Sequence, residues 1–239
     1  MRRLLLIPFA FFIMILSGCS VLKNSGLIPT ELEMALGLKD ALSQGLFKGF
    51  DAFANPEGNP LVRFAFPGEA EKIEKTLRDL GFDKAINQVT GKFTRAMSSA
   101  VNVARPLFFD AVKKMTIKDA AKILVTDNTH AATDYFKQTM KPGLMTAFRP
   151  IVDSTIKTEK ADEEWKGITS IYNSIPFINK PLENSLTDFI SARVIDLMFL
   201  MVANEEEQIR TKYELRKTDM MRKVFTWAEG EIKRKLQKN

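Results

Sequence analysis

The chain has 239 residues, 45% apolar and 27% charged, with 35 lysines and arginines against 29 acids and a formal net charge of +6. That length suffices to bury one sizeable core or two small ones. Cations and acids are interleaved with no run of five like charges, which argues against a nucleic-acid partner, and a single cysteine excludes a disulfide within the chain.

Residues 1–18 open with Arg2 and Arg3, continue as an apolar run from Leu4 to Leu16 broken by Pro8, and end in small residues ahead of Cys19. Such a run is shorter than the roughly 20 residues of a spanning helix. Its order of basic, apolar and small residues is that of a secretory signal. Leu16-Ser17-Gly18-Cys19 resembles the lipobox of bacterial lipoproteins, which implies cleavage between Gly18 and Cys19 and diacylglycerol on the Cys19 sulfur. One acyl chain anchors only marginally, so two or more are expected there. Loss of Arg2 and Arg3 with the signal lowers the formal charge from +6 to +4. Ser20 in place of an aspartate is similar to the pattern sorted to the outer membrane in enteric bacteria. The expected location is the cell envelope, facing the periplasm.

Residues 19–29 read as a lipidated tether, small and polar; the ten residues from Ser20 to Pro29 reach at most about 35 Å. A helical body follows over 30–239. Ala35, Leu38, Leu42, Leu46, Gly49 and Phe53 recur every three or four positions, the spacing of an amphipathic helix. Gly45 and Gly49 on that stripe imply close approach of a second helix. Asn55 to Pro67, with three prolines and one glycine, is a loop in which Leu61, Phe64 and Phe66 alternate as in a short strand that has no partner.

The helical signals then continue with few breaks. Glu69 to Leu80 stops at Gly81, a helix-ending residue type. Asp83 is expected to cap the next helix, with stripe Ile86, Val89, Phe93, Met97, Ala100 and Val103. Pro106 predicts a break or kink before Phe108, Ala111, Val112 and Met115. Thr116 with Asp119 has capping-box spacing for a short helix to Leu124. Asp127 to Thr129 offers caps for a helix with Ala132, Tyr135, Phe136 and Met140, and Pro142 and Pro150 bracket or kink the segment holding Leu144, Phe148, Ile151 and Val152. Thr158 to Glu164 reads as a charged turn, then Trp165, Ile168 and Tyr172 as a short helix.

From Phe189 to Ala203 nearly every position is apolar, so the segment near 187–203 is expected to be the buried central helix of the bundle. Arg193 and Asp196 interrupt it and are expected to pair with each other. Glu205 to Lys217 reads as a solvated, charged segment, with Glu206 and Arg210 at the favourable four-residue spacing. Asp219 to Leu236 closes the chain as a helix burying Met221, Phe225, Ala228 and Ile232, with Glu229–Lys233 and Glu231–Lys235 on its wet face. The predicted fold class is all-α, a single multi-helix bundle.

Met115-Thr116-Ile117-Lys118-Asp119-Ala120-Ala121-Lys122-Ile123-Leu124 and Ala131-Ala132-Thr133-Asp134-Tyr135-Phe136 resemble the central signature of the bacterial family catalogued as domain of unknown function 4197. Gly37-Leu38-Lys39-Asp40-Ala41-Leu42 is similar to that family's opening segment. Glu205-Glu206-Glu207-Gln208-Ile209-Arg210, Arg216-Lys217-Thr218-Asp219 and Val224-Phe225 are similar to its closing one. The family-like core runs from about 37 to 225, with 226–239 as a C-terminal helical extension, and Lys212-Tyr213 stands where the family has Asn-Pro. The resemblance implies a helical secreted or lipid-anchored protein and supplies no catalytic residue.

The residues offer little to an enzyme. The one thiol is the lipid site, and the one histidine, His130, cannot build a multi-histidine zinc site. No Gly-x-Ser-x-Gly elbow or phosphate loop is present, and Glu183-Asn184-Ser185 only approaches the Glu-Ser pair of cell-wall hydrolases. No cofactor or metal is expected. The favoured function is a non-enzymatic binding or scaffold module for an envelope protein, held to the membrane by its acyl chains. The alternative is a carrier for a lipid or other apolar ligand, since eighteen phenylalanines and eleven methionines can line a cavity. Tyr135, Arg193, Asp196 and Arg216 are the candidate ligand-binding or structural polar residues.

Overall fold

The computed structural model describes residues 28–66, 70–79, 81–118, 120–174 and 185–237. Gly18 and Cys19, Asp119 of the expected capping box, and Glu183 and Asn184 lie outside them.

Among the described residues there are eight α-helices and no strand, the predicted all-α bundle. Helix α1 (Glu31–Ala54) starts at a capping box: the Thr30 hydroxyl accepts from the Glu33 N–H at 3.2 Å, and the Glu33 carboxylate accepts from the Thr30 N–H at 2.8 Å. Helix α2 (Ala70–Asp79) precedes Gly81, whose φ of 89° turns the chain as only glycine does freely. Helix α3 spans Asp83–Lys114. Its N-cap is Phe82, not Asp83, and no side chain caps it; Asp83 instead lies in the first turn, where its charge suits the helix dipole. Helix α4 is Ala120–Leu124, and α5 runs over Ala131–Glu159 until Lys160 adopts a left-handed conformation. The charged turn expected over 158–164 is thus only two residues deep, because α6 begins at Asp162 and runs to Asn173. Helix α7 (Leu186–Thr211) is capped by Ser185, and α8 (Asp219–Leu236) by Thr218.

The three prolines break nothing. Pro106 lies inside α3, and Pro142 and Pro150 lie inside α5. A proline removes the N–H that would bond the carbonyl four residues back. Those residues, Asn102, Gln138 and Thr146, are all exposed, so water can serve the freed carbonyls.

Helix α7 is the central element, packed chiefly on α1 and α5; α5 packs on α3, and α1 also meets α3 and α8. Gly45 makes the α1–α7 approach possible, since a Cβ there would stand 2.7 Å from Val202 Cα. Gly37 plays the same part against Val224 of α8, a contact the sequence stripe did not foretell. Along α3 the buried stripe shifts at its middle: Ala104 is buried and Val103 is 62% exposed. Of the expected strand residues, Leu61 lies within a 3-10 turn, Pro60–Val62, and Phe64 and Phe66 in the segment that follows it. Val62, Phe64 and Phe66 point inward while Leu61 is exposed, and the Phe64 N–H donates to the Thr94 hydroxyl at 3.0 Å instead of to a neighbouring strand. There Phe64 meets Phe93 at 4.6 Å between ring centroids, and Trp165 stacks on Phe189 at 5.1 Å.

Candidate functional site

Four of the buried polar side chains, Gln44, Thr133, Glu206 and Arg216, gather at one junction, where α4 ends, α5 begins, and α7 passes through a 3-10 turn (Tyr213–Leu215) into α8. The start of α5 has no side-chain cap of its own, so its free N–H groups need an acceptor from elsewhere. Glu206, on α7, provides it. Its carboxylate accepts from the Ala132 N–H at 3.0 Å, the Thr133 N–H at 2.7 Å and the Thr133 hydroxyl at 2.7 Å. One turn on, Arg210 donates to Glu206 at 2.9 Å through Nε. Its two terminal nitrogens donate to the carbonyls of Leu124 and Ile123, at 3.0 and 2.9 Å. One carboxylate therefore closes the N-terminus of α5 and one guanidinium the C-terminus of α4, each meeting the sign of helix dipole it prefers.

Glu206 is 1% exposed, which corrects the reading of 205–217 as a solvated segment. A charge at that depth stands only with partners, and all its acceptor capacity is spent on them. Arg216 is equally buried. It donates to the carbonyls of Ile209 and Arg210, to the Thr226 hydroxyl at 2.9 Å and to Glu229 at 3.2 Å, and so joins α7 to α8. Gln44 of α1 donates to Glu205 at 2.7 Å and to the Leu215 carbonyl at 2.9 Å. His130 Nδ1 lies 3.1 Å from the Ala203 carbonyl, the spacing of a donated hydrogen bond. The arrangement holds five elements in register; every donor of Arg210 and Arg216 described above is directed inward.

The four polar residues singled out from the sequence do not form one site. Arg216 belongs to the junction. Tyr135 donates from its hydroxyl to the Thr116 carbonyl at 2.6 Å, pinning the approach to α4. Arg193 and Asp196 do not pair: Asp196 accepts from Lys141 at 2.5 Å and faces Lys137 at 3.9 Å, both on α5. Helix α5 lies nearer to that carboxylate than the guanidinium on its own helix, and Arg193 Nε is buried without a hydrogen-bond partner. Glu206, Arg210 and Gln44 were missed. The spacing of Glu206 and Arg210 showed only that the two could pair, and the caps expected from Asp127 to Thr129 are not used, since the N-cap is His130 with no side-chain cap.

A cleft of about 930 Å³ lies on α3 and α6, lined by Lys84, Asn87, Gln88, Val89, Lys92, Arg95 and Glu164. Lys92 is hydrogen-bonded and ion-paired to Glu164, and this contact holds the Glu164 carboxyl below its ordinary value. Six of the seven residues that line the cleft are polar or charged types. The large side chains that could have lined an apolar chamber, among them Phe50, Phe93, Phe108, Phe136, Phe148 and Met97, are buried against one another as core.

Fold and junction together define an all-α bundle whose helix ends are joined by the buried charged side chains Glu206, Arg210 and Arg216. The blocks 115–124, 131–136, 205–210 and 216–219 all meet at this junction, and a family model described as "Protein of unknown function (DUF4197)" matches residues 29–226. The chain belongs to that family. No curated protein and no solved structure matches it.

Proposed function

We propose that this protein is a lipid-anchored, non-enzymatic binding or scaffold module of the bacterial envelope, facing the periplasm from the outer membrane and binding no nucleic acid. The observation that carries the reading is Leu16-Ser17-Gly18-Cys19, following a basic and apolar leader and ending in the only cysteine of the chain. The helical body supports it by beginning close behind, with its capping box at Thr30. Among the described residues no helix is long and apolar enough to cross a membrane, so on this reading attachment rests on the acyl chains. The junction supports the scaffold role, because its buried charged groups are engaged in holding helices together. The test is growth of cells expressing the tagged chain on labelled palmitate. Label should enter the wild-type chain and be absent from Cys19→Ser, which should accumulate as the larger precursor; label persisting on the variant overturns the proposal.

A further inference from the structure

Helix α1 has two apolar faces. One is the core stripe. The other holds Leu32, 70% exposed, Leu36, 42% exposed, and Phe47, 54% exposed. A single exposed leucine is ordinary. These three lie on one side of one helix over about 22 Å of its axis, with Ser43 between them, and Phe47 meets half-buried Phe109 of α3 at 4.8 Å between ring centroids. Lys39, Lys113 and Lys114 edge the strip on the α3 side, where the Lys39 amine donates to the Lys113 carbonyl at 2.8 Å. Lys217 and Lys223 edge it on the α8 side. Lys223 is ion-paired with Glu33 and Lys114 with Asp110, which leaves Lys39, Lys113 and Lys217 as the rim's cations beside Asp40, hydrogen-bonded by the Thr218 hydroxyl, and Asp51 near the Phe47 end. An apolar strip with an amine rim suits the boundary between anionic headgroups and acyl chains.

We infer that this outer face of α1 lies on the leaflet that holds the acyl chains, with Leu32, Leu36 and Phe47 in the headgroup boundary. The inference rests on the anchor at Cys19. Ten residues at most about 35 Å long join that anchor to α1, a reach close to the length of α1 itself, so the lipid surface is the partner always within range. Such tethering raises its effective concentration enough for a small contact to be occupied.

The test uses the full lipidated chain in vesicles of phosphatidylethanolamine and phosphatidylglycerol, three to one. A fluorophore is placed on Leu36→Cys, Phe47→Cys or, as a control on the exposed side of α5, Ala147→Cys. Brominated lipid should quench the first two several-fold more than the third. Adding Leu32→Glu and Leu36→Glu to the Phe47→Cys chain should abolish its quenching with the circular dichroism spectrum unchanged. Equal, weak quenching at all three sites in vesicles that float with the protein overturns the docking face and leaves the anchor intact. A chain that does not float, with Cys19 free to react with maleimide, overturns the anchor and the docking with it. Shielding of Leu36 only when a second protein is bound overturns the lipid in favour of that protein.

Discussion

At the scale of single residues, Glu206 carries the most. Its carboxylate serves two backbone amides, a hydroxyl and a guanidinium, and removing one member of a buried pair strands the other. Glu206→Ala should therefore lower the unfolding free energy by about 3–5 kcal/mol, measured by urea denaturation; Glu206→Gln should cost less, since the amide oxygen still accepts. Glu164 gives a prediction in pH. Its carboxyl is held below the ordinary value of 4.5, first by the hydrogen bond from Lys92, against a smaller opposing effect of burial. The stabilisation is then complete above about pH 4.5 and is lost as pH falls through the lowered folded value. Lys92→Met should flatten the dependence of the urea midpoint on pH over that acidic range, while a slope equal to the wild type's would refute the assignment. Neither role was legible in the sequence. Glu206 sits in a run of three glutamates that reads as surface, and what it caps lies 73 and 74 residues away.

At the scale of helices, periodicity told most of the story. The stripes of α1 and α8 were readable because apolar residues recur at the helical spacing, and α7 because nearly every position from Phe189 to Ala203 is apolar. Gly45 and Gly49 were readable as a close approach because only small residues break an otherwise bulky stripe. That Pro106, Pro142 and Pro150 would lie inside continuous helices and not at breaks was not readable, because the sequence does not say that the residues four positions back are exposed. Gly45→Ala places a methyl 2.7 Å from Val202 Cα and should destabilise by about 1–3 kcal/mol as α1 and α7 are forced apart. Gly167→Ala, on the exposed side of α6 with nothing within 4 Å, should stabilise by about 0.5–1 kcal/mol. Thermal melting of the two variants in parallel checks both signs.

At the scale of the whole molecule, the family match ends at residue 226 while α8 continues to Leu236. The last turns are joined to the common body: Ala228 is buried, and Glu229 receives a hydrogen bond from buried Arg216. Deleting residues 227–239 should lower the unfolding midpoint, because it strips buried Ala228 and the Glu229 partner from the body and uncovers Arg216, and the full chain should unfold in one transition. A second, separate transition would mark the C-terminal segment as independent.

The packing of α1 has one more implication, for how the molecule is made. Its polar ties lead to Glu205, Thr218 and Lys223, partners 161, 178 and 190 residues further along. A chain synthesised from its N-terminus thus presents the inner face of its first helix long before the last two exist to cover it. Folding is slow to begin when such distant segments must meet, and a ribosome-bound intermediate truncated before α7 should bind a chaperone through α1, releasing it once α8 is complete.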